Sequence, residues 1–124
     1  MPPSAPKSSV ESVRQGRTLV LKILVAEVYQ SDTVEQLGRD LRAAVSADPD
    51  AIACVVDLSA VRFLSSAALG LLLNLNAQLG SHGMKFALAG AAGEVAEVLK
   101  RSRLEKAIAM YATVADAVAS IPCA

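Results

Sequence analysis

Two adjacent hydroxyls, Ser65 and Ser66, open a Leu-rich stretch, and the carboxylate of Asp57 precedes them at the close of an apolar run. Hydroxyls at the head of a helix can accept a hydrogen bond from an orphan amide of the first turn. Asp57, at the end of a strand-like run, is suited to anchoring a turn through side-chain to backbone bonds. His82 is the single histidine and sits in a Gly-Ser-His-Gly turn. Without a second histidine or a cysteine cluster no zinc site is expected, and no other metal or cofactor is called for. Gly90-Ala91-Ala92-Gly93 lacks the lysine and the glycine spacing of a phosphate-binding loop and reads as a connector. No nucleophile elbow is present, so no catalytic residue is assigned and binding rather than catalysis is expected.

The elements that must position these groups follow from periodicity. Val10 to Val13 and Thr18 to Val25 flank the turn at Gln15-Gly16-Arg17 and predict a hairpin. A first helix is expected from Asp32, acting as its cap with Glu35 three residues on. Val34, Leu37, Leu41, Ala44 and Val45 form its inward face, Arg39, Asp40 and Arg42 its solvent face, and Asp48-Pro49-Asp50 its end. Ala51 to Val56 is a continuous apolar run and predicts a central strand covered on both sides. A loop from Asp57 to Leu64 leads to a second helix, starting at Ser65 or Ser66 and closing near Ser81. Its Leu69, Leu72, Leu73 and Leu79 are expected in the core, while the turn from Ala67 to Leu71 is expected to be partly exposed. Met84 to Ala89, Glu94 to Arg101, Leu104 to Met110 and Val114 to Ile121 then predict a strand, a helix, a region holding a short strand, and a last helix.

This order defines an α/β fold in a single domain. It has a mixed, mostly parallel sheet of four to five strands, an N-terminal hairpin and about four helices. The chain has 124 residues, just over half of them apolar and none of them Trp, so the core must be aliphatic. Twelve basic and twelve acidic residues cancel. Such a balance disfavours nucleic acid as a partner. The longest apolar stretch is broken by Ser65, Ser66, Asn74, Asn76 and Gln78, so no membrane insertion is expected. Residues 1–9 read as a disordered leader, not a signal peptide. Cys54 and Cys123 have no metal or redox spacing, which fits a reducing, cytoplasmic location without a disulfide.

Three segments resemble the STAS family, named for sulfate transporters and anti-sigma-factor antagonists. The most specific runs from Asp57-Leu58-Ser59 through Phe63-Leu64-Ser65-Ser66-Ala67-Ala68 into the Leu-rich helix. The others are Gly83 to Gly90 and Val95 to Leu104, with Thr113 to Ala117 echoing the family's close. Residues 10–124 are accordingly expected to be one STAS domain. In the antagonist branch the resemblance implies capture of an anti-sigma factor that is also a serine kinase, ended by phosphorylation at the start of the second helix. It implies a partner-binding set of Asp57, Ser65, Ser66, Ala67, Ala68 and Leu71.

The sequence departs from the family pattern where the switch would lie. Ser65 replaces the usual Asp, Ser66 matches the Ser before the acceptor, and the acceptor position itself is Ala67. Ala67 has no hydroxyl, which makes Ser66 the candidate phosphorylation site and Ser65 the second choice. The competing expectation is a scaffold or accessory subunit that never switches, in a transporter, stressosome-like or lipid-trafficking complex. Self-association is compatible with both.

Overall fold

The computed structural model describes residues 9–120, so residues 1–8 of the expected leader, Ile121 and Cys123 lie outside the described residues. Strands β1 (Val10–Gln15) and β2 (Thr18–Ile23) form the expected hairpin around Gly16. Glycine is suited to that turn because its φ of 62° lies in the left-handed region. Helix α1 (Ser31–Ser46) follows a two-residue strand, β3 (Glu27–Val28). Then come β4 (Ala53–Asp57), β5 (Phe63–Leu64), α2 (Ser66–Ser81) and β6 (Lys85–Ala89). Helix α3 (Gly93–Arg101), a 3-10 turn over Leu104–Lys106, β7 (Ala109–Tyr111) and α4 (Val114–Ser120) complete the described residues.

The main sheet has the order β1-β2-β4-β6-β7, antiparallel between β1 and β2 and parallel thereafter. Strand β4 is central, and its alternation divides the core. Cys54 and Val56 join the large cluster beneath α1, α2 and α3, which includes Leu37, Leu41, Leu72, Leu75 and Leu99. Val55 and Ala53 face a smaller cluster with Val20, Ala87, Ala89 and Ala117, beneath α4. The predicted two-sided burial of this strand is therefore observed. Small side chains dominate the second face because a single short helix covers it.

Four local expectations change. Gln30 occupies the N-cap position of α1 without a side-chain cap bond, and Asp32 lies inside the first turn. There it complements the positive end of the helix dipole without capping it. Asp40 does not simply face solvent, because it accepts bonds from the amide and hydroxyl of Ser9 at 2.8 and 2.6 Å. Leu73 is 39% exposed, whereas Leu71 is only 9% exposed. The buried stripe of α2 is turned toward Leu71 because α1 packs on that side, bringing Leu71 against Gly38. The segment expected as a loop from Asp57 to Leu64 contains β5, which pairs in parallel with β3 in a separate two-stranded sheet.

Candidate partner-docking site

Asp57 ends β4 directly opposite Ala89, the last residue of β6. Its Oδ1 accepts from the amide of Ser59 at 2.9 Å, turning the chain out of the sheet. Ala89 O then accepts from the amide of Leu58 at 2.8 Å. The site thus grows from the carboxyl ends of neighbouring parallel strands, where open α/β sheets place their binding surfaces. Gly90 sits against this turn with φ +78°, and a Cβ there would lie 2.8 Å from Asp57 Oδ1. Asp57 has the turn-anchoring role read from its position.

The β3–β5 ribbon carries the chain from this turn to α2. The amides of Arg62 and Phe63 both donate to Ala26 O, and that of Ser65 donates to Val28 O at 2.9 Å. Ser65 is consequently held extended, with φ −83° and ψ 170°, and its Oγ accepts from the amide of Ala68 at 3.2 Å. One serine of the pair is the helix cap. Ser66 is left exposed at the first helical position, and Ala67 beside it is exposed as well.

The remaining members of the expected partner-binding set face inward. Ala68 is 1% exposed and Leu71 lines a cleft while resting on Gly38. The exposure expected of the Ala67 to Leu71 turn is confined to Ala67 and, partly, Gly70. Beside the serines stand Phe63, named only as part of the family-like segment, and Tyr29, which the sequence did not single out. Tyr29 and Phe63, 49% and 38% exposed, meet edge to face with ring centroids 5.8 Å apart. For Tyr29 the one signal was scarcity: the chain has two Phe and two Tyr in all, and half of these meet on one surface.

His82 is exposed at the far end of α2. Among the described residues no group of His, Cys, Asp or Glu could hold a metal ion. Cys54 is fully buried, and burial pushes its thiol up to about 12. No helix among the described residues is long and apolar enough to cross a membrane.

A mixed sheet with an N-terminal hairpin, three helices on one face and a capped helix start at the strand ends is an α/β domain of STAS type. Residues 30–117 match the STAS domain family, and the chain belongs to that family. Its fold is similar to an anti-sigma factor antagonist from Mycobacterium paratuberculosis, at 25% identity and a TM-score of 0.77 over 90% of this chain and 92% of that one. It is also similar to the phosphorylated form of the Bacillus cell fate determinant SpoIIAA, at 19% identity and a TM-score of 0.65 over 91% and 99%. A third likeness is to the murine anion transporter Slc26a9, at 13% identity and a TM-score of 0.73 over 86% of this chain and 18% of that one. No curated protein matches in sequence.

Proposed function

We propose that this chain acts as an anti-sigma-factor antagonist, binding an anti-sigma factor of serine-kinase type in the cytoplasm and so influencing sigma-factor-dependent transcription. It does this by docking, without catalysis. The observation that carries the reading is the exposure of Ser66 and Ala67 at the first turn of α2, where the family places its switch. Free amides and the helix dipole make this turn tolerant of an anion. A phosphate on Ser66 would add a charge of about −2 to the docking surface without unseating the fold. One residue along a helix turns a side chain by roughly 100°, so Ser66 presents its hydroxyl in a different direction from position 67.

The absence of a hydroxyl at Ala67 favours a second reading, a non-switching STAS scaffold or accessory subunit. The transporter likeness supports the same alternative at the level of fold. Incubation with the cognate kinase and ATP separates the two. Under the switch reading one phosphate maps to Ser66 by mass spectrometry and Ser66→Glu abolishes capture of the kinase. Under the scaffold reading no phosphate is added and Ser66→Glu binds as before. Ala67→Glu weakens capture under both, and undiminished binding by that folded variant removes the docking assignment altogether.

A further inference from the structure

Helices α1 and α2 run side by side in the same direction, as the contacts of Gly38 with Leu71 and of Arg42 with Gln78 show. They leave an open groove of about 460 Å³ between them. Val34, Gly38, Ala67, Gly70 and Leu71 supply its apolar lining, and Glu35, Arg39 and Arg42 its charged lining, with the Arg42 guanidinium reaching over Gly38. Arg39 and Arg42 are both exposed. Among the described residues their guanidinium groups hydrogen-bond neutral amides, Gln36 Oε1 at 2.9 Å and Gln78 Oε1 at 3.2 Å, while Arg39 also acts through its field on Asp40. Among the described residues the single ion pair within 4.0 Å is Arg14 with Asp48, so neither arginine is matched by a carboxylate at that distance.

We infer that this groove receives an amphipathic helix of the protein partner, whose apolar ridge fills the floor and whose carboxylates meet Arg39 and Arg42. The inference rests on the docking reading above and extends that surface from Ala67 along α2. A helix is the fitting occupant because the walls are helices with satisfied backbones, which offer no free ladder to a strand but accept a ridge of side chains. Arginine forks add specificity for carboxylates, because each can bond one through two parallel N–H groups. The floor admits close approach at Gly70. Gly38 is already covered by Leu71 and by the Arg42 guanidinium, but among the described residues a Cβ at Gly70 would meet nothing within 4 Å. A mid-helix glycine weakens a helix relative to alanine, and no packing among the described residues requires it at position 70.

The test uses isotope-labelled protein and three synthetic helical peptides that share one apolar ridge. Their flanking residues at one end are Glu, Gln or Lys. The Glu peptide is expected to shift the amides of Gly38, Gly70 and Asn74 and to bind at least tenfold tighter than the Lys peptide. Arg39→Glu combined with Arg42→Glu should reverse that order. Gly70→Leu should fill the groove, abolish peptide binding and leave the thermal midpoint unchanged or raised. Equal affinity for Glu and Lys peptides, shifts confined to other surfaces, no binding by any peptide, or binding that survives Gly70→Leu would each overturn the assignment. A concentration-dependent increase in mass of the protein alone, lost in Gly70→Leu, would give the groove to a second copy and overturn it too. Kinase capture that depends on Ser66, which does not line the groove, reads the helix start separately, so the groove can fail while the docking reading stands.

Discussion

A Cβ placed on Gly90 would stand 2.8 Å from Oδ1 of Asp57, the oxygen that also accepts from the amide of Ser59. The turn leaving β4 and the turn leaving β6 therefore share one space. Gly90→Ala meets both a left-handed φ of +78° and this contact. It is expected to destabilise the protein by about 1–3 kcal/mol, read from the midpoint of urea unfolding. Unchanged stability would show that the two turns separate freely.

Ser65 and Ser66 should divide their roles cleanly. Ser65→Ala removes the bond to Ala68 and is expected to cost about 1 kcal/mol, whereas Ser65→Asp restores the cap. Ser66→Ala, at an exposed position without a capping bond, should leave the unfolding midpoint within experimental error. Equal losses for both alanine variants would contradict the assignment of the cap.

Ala67→Ser returns a hydroxyl to the family's acceptor position on the exposed side of the first turn. Under the proposed function this variant becomes a substrate of the cognate kinase, with phosphate mapped to position 67 by mass spectrometry. Failure to modify the folded variant would show that the kinase no longer reads this turn.

The Asp40 contact predicts an acid-sensitive link between α1 and the residue ahead of β1. Burial works to raise the carboxyl pKa, but the bonds from Ser9 and Gln36 and the field of Arg39 outweigh it and hold it below its ordinary value. A depressed carboxyl stabilises the fold fully above its unfolded value of about 3.9. That contribution is lost as pH falls from there through the lower folded value. Exchange protection of the Ser9 amide should disappear in that window, and Asp40→Asn should flatten the profile.

Cys54, with its thiol pushed up to about 12 by burial, holds almost no thiolate at neutral pH. In a Cys123→Ser background, labelling by a thiol reagent at pH 8 should await global unfolding and slow in step with added stability. Rapid stoichiometric labelling of the native protein would mean that β4 is not sealed on both faces.

Local patterning was enough for most of the architecture. The short apolar run from Ala51 to Val56, bounded by turn signals, read as a strand covered on both sides, because a strand with one face in water would alternate with polar residues. Ser65, Ser66 and the Leu-rich stretch marked the start of α2, since short polar side chains satisfy orphan amides where a helix begins. The departure at Ala67 was likewise plain, because a residue's chemistry does not depend on its neighbours.

Tertiary structure alone decided which residues of that turn reach the surface. Helix α2 is apolar on nearly every side at its start, so its own period could not choose between burying Leu71 and burying Leu73. The position of α1 made the choice by setting Gly38 against Leu71. The β3–β5 ribbon and the meeting of Tyr29 with Phe63 were equally hidden. Two-residue strands carry no periodicity, and their stability comes from pairing between segments far apart in the chain.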